Sequence, residues 1–309
     1  MTWGVPVWFD LWLAGMAGGT YSIAFLVDYF SSHENRPLLR LATFLGIPLV
    51  VIGVILLIID LGNPSRFWHL LTQFKVLSTM SMGTWILLVW VVIAVAMVIL
   101  WRIGGSYSNR AAGFLSLANL VFAVLLMGYT GVLPAVSSRV LWAGTVFLPA
   151  LLVASAISMG LAILIIAILT FNAVSKGDFA ALKPALNRIS GFTDWAVDNR
   201  TAARIAMANA IVIIIELAAL IGHIIGLTIS PEAVASEALG LLITGTLAVP
   251  FWLGVVVLAL LMPLALYVIN WGKDIEAGTV GRAMAISSIC VILGGLLLRA
   301  VIMAGGQIT

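Results

Sequence analysis

The chain has 309 residues, 63% of them apolar and 9% charged, where a soluble domain carries roughly 25% charge. That scarcity of polar residues excludes a water-soluble globule and a disordered chain alike. Fifteen Lys and Arg against 12 Asp and Glu leave a net charge of +3, too thin for a nucleic-acid footprint.

What remains is an all-α polytopic membrane protein. A span needs about 20 mostly apolar residues to cross a hydrocarbon core roughly 30 Å thick. In chain order eight segments qualify: about 8–30, 41–60, 83–101, 111–132, 143–170, 205–228, 247–270 and 283–304, expected to pack as two bundles in one membrane domain over 1–309. The first has no basic residue before it, runs through Asp10 and Asp28 and lacks an A-x-A-like end. It is therefore expected to stay in the mature protein and not to be cleaved as a signal peptide. Its Gly15, Gly18 and Gly19 let a neighbouring helix approach closely. Span seven reads as kinked at Pro250 and Pro263, with 239–246 as a short lead-in. The longest connector, 171–204, carries Trp195 and scattered charges; a helix lying at the interface and a solvated linker both fit it.

The basic residues set an orientation. Connectors after spans one, three, five and seven carry Arg36, Arg40, Arg102, Arg110, Lys176, Lys183, Arg188, Arg200, Arg204, Lys273 and Arg282, eleven in all, against Arg66, Lys75 and Arg139 on the other side. By the positive-inside rule the first set is cytoplasmic, so both termini are expected outside and 171–204 inside.

With that orientation the costly polar residues gather near one face. Asp10 opens span one on the outer side and Asp60 closes span two there; Tyr129, His223 and Arg299 lie near the outer ends of spans four, six and eight. A charge inside a span costs about 2.5–3.5 kcal/mol on the lenient insertion scale, so Arg299 is expected to pair with one of the acids. Asn209, Glu216 and His223 recur every seven residues on span six, one helix face at intervals of roughly 10 Å. A proton relay and an interhelical hydrogen-bond ladder both fit that stripe.

The metal-binding residues are sparse. Haem between membrane helices needs two facing histidines and iron–sulfur clusters need several cysteines. Here His33 and His69 fall in connectors on opposite sides, His223 is the one histidine in a span, and Cys290 is the one cysteine. No haem or cluster of its own is expected, so any redox metal belongs to a partner. No Walker loop, dinucleotide fingerprint or zinc helix motif appears either.

Several separated motifs resemble the NrfD/PsrC family of membrane subunits from quinone-linked respiratory complexes. They are Ala14-Gly15-Met16-Ala17-Gly18-Gly19, then Asp60-Leu61-Gly62-Asn63-Pro64-Ser65-Arg66-Phe67, then Ser78-Thr79-Met80-Ser81-Met82-Gly83-Thr84-Trp85. Tyr129-Thr130-Gly131-Val132-Leu133, Leu141-Trp142, Leu148-Pro149, Gly294-Gly295-Leu296-Leu297-Leu298-Arg299 and Gly305 with Gln307 follow in the family's order. The resemblance implies eight helices and a quinone, usually menaquinone, bound near the outer face. It also implies a ferredoxin-like iron–sulfur subunit docked there and a molybdopterin catalytic subunit beyond it.

Carried over by position, Tyr129 matches the family's quinone-contacting tyrosine, and Asp10 stands where a polar quinone contact, often histidine, is found. Gly15, Gly19 and Asp60 are counted with that quinone set. Asp60, Glu216 and Arg299 match ionisable positions of a proton path, to which the stripe adds His223 and Asn209. Arg66, Lys75 and Arg139 are the outer-face cations expected to meet the partner. The expectation is thus a quinone-reactive membrane anchor of a polysulfide- or thiosulfate-reductase-like complex in the cell membrane, with no self-contained active site and with proton conduction as an added role. A proton-coupled secondary transporter using Asp10, Asp60, Glu216 and Arg299 and a quinone-free structural anchor are the alternatives.

Overall fold

The computed structural model describes residues 4–60, 72, 78–104, 106–135, 147–176, 180–190, 199–230, 233–273 and 278–308. Arg66, Lys75, Arg139, His69 and Trp195 lie outside the described residues.

Among the described residues eight helices are long and apolar enough to cross a membrane. They are α1 (Val5–Phe30), α2 (Arg36–Asp60), α3 (Thr79–Ile103), α4 (Ser106–Ala135), α5 (Phe147–Ser175), α7 (Asn199–Ile229), α9 (Pro250–Ile269) and α10 (Gly278–Ile308). Among the described residues two short α-helices join them, α6 (Lys183–Ser190) before α7 and α8 (Ala233–Ile243) before α9. Most spans run a few residues past their expected limits, because the polar flanks continue the helix where the strictly apolar run ends. The connector 171–204 is shorter than its composition suggests: α5 continues to Ser175, α6 packs on α2 and α5, and α7 already begins at Asn199.

The lead-in expected at 239–246 belongs instead to α8, closed by a turn before α9. Pro250 opens α9, where its missing N–H leaves no intrahelical bond unmade. From Pro250 to Leu261 the helix is wound wide, and the Met262 N–H donates to the Val257 carbonyl, a π-type bond. Ordinary α-winding resumes over Met262–Ile269, with Pro263 at the change. The prolines thus start the helix and mark its change of pitch, and neither stands in the middle of a regular helix.

The helices form two groups of four. In the first, α1 packs on α2 and α4, and α3 fills in between α2 and α4; in the second, α5 packs on α7 and α10, with α9 against α10. The groups meet where α1 lies along α5. Accordingly 72% of the most apolar stretch of α1 and 78% of that of α5 are buried inside the protein, against 22% for α3, which faces outward. At the crossing, a Cβ on Gly19 would meet the Ala156 carbonyl and one on Gly160 would meet the Gly19 backbone. Only hydrogen fits there, the small-residue contact by which membrane helices approach. Eight alternating crossings put the start of α1 and the end of α10 at one end, called here the terminal end.

Candidate functional site

Toward the terminal end of the first group, Asp10 of α1 is fully buried, and neither carboxylate oxygen has a hydrogen-bond partner among the described residues. Its seat is Gly53 of α2, where an added Cβ would stand 2.6 Å from Oδ1. Tyr129 of α4, 7% exposed, lies close enough to Asp10 to feel its charge. The Tyr129 ring rests on Gly83 of α3, where any Cβ would strike it. Ser78 fixes the start of α3 by accepting from the Ser81 N–H at 3.4 Å, and Gly131 lets α4 close on Pro149. The motif residues Ser78, Gly83 and Gly131 thus place the tyrosine, and Gly53 the carboxylate, within electrostatic reach of each other. Asp60, half-buried at the end of α2, packs against Gly4, the N-cap of α1, where a carboxylate meets the positive end of the helix dipole.

A second polar set lies at the junction of the two groups. Arg299 of α10 is 1% exposed. Its Nε donates to the Leu11 carbonyl at 3.1 Å, and Nη1 to the Gly295 carbonyl at 2.9 Å and the Ser155 hydroxyl at 3.3 Å. Nη2 donates to the Leu152 carbonyl at 3.4 Å. Gly15 leaves room for the guanidinium, since a Cβ there would come within 2.8 Å of Nη2. Glu216 of α7 is buried and accepts from the Ser158 hydroxyl at 2.9 Å, with Ser155 as a further hydrogen-bond partner.

The expected ion pair of Arg299 with an acid is replaced by something else. Among the described residues Arg299 lies within salt-bridge distance of no acid, and Ser155 stands between it and Glu216. The physical reason is the supply of neutral acceptors. Carbonyls of α1, α5 and α10 occupy most of the guanidinium's five donors, leaving a serine to relay the attraction of the carboxylate.

The stripe on α7 divides. Asn209 donates from Nδ2 to the Tyr267 hydroxyl at 2.9 Å, and Tyr267 is 3.3 Å from the Ser288 hydroxyl, a separate set on α7, α9 and α10. Glu216 faces α5 instead. His223 is buried two turns further toward the terminal end. Of the residues singled out in the sequence, the fold brings Asp10 next to Tyr129, and Arg299, through Ser155, next to Glu216. Asp60 at the end of α2 and Asn209 beside Tyr267 stand apart from both sets. Gly15 and Gly19 serve close packing, the first under Arg299 and the second against α5.

Ser155, Ser158, Tyr267, Ser288 and Gly53 were missed in the sequence, and Gly83 stood out only as part of a motif. Ser155 and Ser158 did carry a signal: two hydroxyls three residues apart on one face of a span otherwise almost wholly apolar. The described residues hold no group of three or more His, Cys, Asp or Glu able to bind a metal ion.

The family model described as "Polysulphide reductase, NrfD" matches residues 1–193 and 181–309. One of the chains of polysulfide reductase from Wolinella succinogenes is 27% identical, with 99% of this chain and 95% of that protein aligned. Protein NrfD of Escherichia coli is 25% identical over 100% of this chain and 96% of its own length. One of the subunits of selenate reductase from Mesobacillus selenatarsenatis is 27% identical over 41% of this chain and 30% of that protein.

Proposed function

The chain belongs to the NrfD family, and on that premise we propose that it is the quinone-reactive membrane subunit of a respiratory reductase complex. Relatives named as constituent chains of a polysulfide reductase and a selenate reductase support a place beside catalytic and electron-carrying chains. The observation that carries the quinone reading is the Asp10 carboxylate, wholly buried with both oxygens unpartnered among the described residues, beside the Tyr129 ring. An unsatisfied buried polar group calls for an explanation, and a quinol hydroxyl or quinone carbonyl fits this one. The carboxylate accepts from a quinol hydroxyl or returns its proton, and the tyrosine hydroxyl donates to a carbonyl.

A quinone, usually menaquinone in this family, supplies two-electron chemistry coupled to two protons at its oxygens. The chain's part is to hold the head group and move those protons. Asp10 sits five residues past the start of α1, roughly 7.5 Å by helical rise, so a head group held there lies near the terminal end, taken as the outer face from the distribution of Arg and Lys. Electrons then pass to or from iron–sulfur clusters of a ferredoxin-like subunit docked at that face. Arg66, Lys75 and Arg139 are the proposed docking cations, and a molybdopterin subunit lies beyond. Asp60 is the proposed exchange group at the surface. Glu216, the two serines and Arg299 form the proposed buried branch of a proton path, extended by His223 and Asn209.

The test is to purify the complex in mild detergent and assay it with a menaquinol analogue. Co-purified iron–sulfur and molybdopterin subunits, extractable menaquinone, and turnover that falls in Asp10→Asn and Tyr129→Phe are expected. A single-subunit preparation without quinone that moves a solute would overturn the reading.

A further inference from the structure

Away from the terminal end, two apolar grooves flank the first turns of α7. The larger, about 350 Å³, follows the seam between the helix groups and is walled by Leu26, Phe30, Leu161, Ile205 and Val212. The smaller, about 150 Å³, lies between α7, α9 and α10, with Met207, Trp271 and Met284 in its wall and exposed Lys273 on its rim. Arg204 is exposed and lines both. Positions 201, 205, 208 and 212 of α7 face the larger groove and 203, 206 and 207 the smaller. Arg204 therefore stands on the ridge between them, and Arg200 lies one turn away on the same side. Among the described residues none of Arg200, Arg204 and Lys273 forms an ion pair; the pair present joins His33 and Asp28.

We propose that this ridge and its two grooves bind one anionic diacyl phospholipid, the phosphate on Arg204 and Lys273 and one acyl chain in each groove. Two apolar channels meeting at one cationic point match a lipid with two tails and one head. A guanidinium suits a phosphate because its planar donors engage two oxygens at once. Arg204 lies five residues into α7, roughly 7.5 Å along it, and exposed Trp271 beside the smaller groove marks the same interfacial level. A quinone has one tail and no charge, so it leaves one groove and the cations without a partner. A cytoplasmic orientation of this end, where leaflets are rich in anionic lipid, favours the same occupant. The seated lipid ties α7 to α1 across the seam, independently of the quinone site.

The test uses the full chain, purified in detergent and stripped of lipid, followed by thermal unfolding and native mass spectrometry during titration. The probes are dioleoylphosphatidylglycerol, dioleoylphosphatidylcholine, single-chain lysophosphatidylglycerol, inorganic phosphate and a menaquinone. One phosphatidylglycerol is retained per chain and raises the unfolding midpoint. The choline lipid binds at least about tenfold more weakly, because its quaternary ammonium neutralises the head group and is repelled by Arg204 and Lys273, and the single-chain lipid likewise, by the loss of one buried chain. Phosphate alone leaves the midpoint where it was. Arg204→Gln with Lys273→Gln lowers phosphatidylglycerol affinity at least about tenfold; should that protein not accumulate, Ala208→Phe, which fills the larger groove, lowers it likewise. Equal binding of the choline lipid, an equal shift from phosphate, displacement by menaquinone, or unchanged affinity in the variant that accumulates each overturns the proposal.

Discussion

The two buried polar sets differ in what they leave undone. At the junction of the helix groups, Arg299 makes four hydrogen bonds to acceptors on three helices, and Glu216 is held by two serines. In the first group Asp10 is as deeply buried and has no partner for either oxygen among the described residues. A satisfied buried network holds structure together, whereas an unsatisfied group is a cost the fold carries for another reason. The contrast makes the first set a structural tie as well as the proposed proton branch, gives ligand duty to the second, and substitutions separate the two.

The largest effect is expected from Arg299→Met, which removes the guanidinium that ties carbonyls of α1 and α5 to α10 and leaves Glu216 uncompensated. Removing one member of a buried charged set costs about 3–5 kcal/mol, so little folded protein should survive extraction. Arg299→Lys should recover only part, because one ammonium cannot reach four acceptors on three helices. A variant with a wild-type unfolding midpoint would remove the scaffold assignment. Next comes Ser158→Ala, which strips a donor from Glu216 at about 1–3 kcal/mol and should lower the midpoint.

Asp10→Asn should do the reverse. Replacing an unpartnered buried carboxylate by a neutral amide leaves stability equal or better. Quinol-dependent turnover should fall about 10- to 100-fold, the worth of a hydrogen bond to a charged group. A destabilised but active Asp10→Asn would move Asp10 into the scaffold class. Smallest is Tyr129→Phe, with about a 2- to 10-fold loss of turnover and a midpoint close to wild type.

Much of this is legible in the sequence alone. Apolar runs long enough to span a bilayer have few other readings, and a carboxylate or guanidinium inside one stands out because it is costly. Asp10, Glu216 and Arg299 were found that way, and Tyr129 through its place near a span end and the motif around it. What they touch was not legible. A serine inside a membrane helix commonly bonds its own preceding turn, and the Ser155 carbonyl at 3.0 Å competes with Glu216 for the single Ser158 proton. The presence of the serine therefore says nothing of a carboxylate 58 residues away. Gly53 and Gly83 are two of 29 glycines; only the packing of α2 on α1 and of α3 on α4 shows that one seats Asp10 and the other Tyr129. The heptad stripe on α7 was legible as a face but not in what that face meets. Asn209 and Glu216 do share a face of the helix, but that face meets α9 and α10 at one level and α5 at the next.

The central claim is that Asp10 and Tyr129 hold a quinone. Its most direct test is titration of the purified full chain with a soluble menaquinone analogue, read by quenching of tryptophan fluorescence, for wild type, Asp10→Asn, Tyr129→Phe and Ser158→Ala. Saturable binding is predicted in wild type and Ser158→Ala, about tenfold weaker in Asp10→Asn and weaker by a smaller factor in Tyr129→Phe. Absence of saturable binding, or one affinity shared by all four proteins, would contradict it.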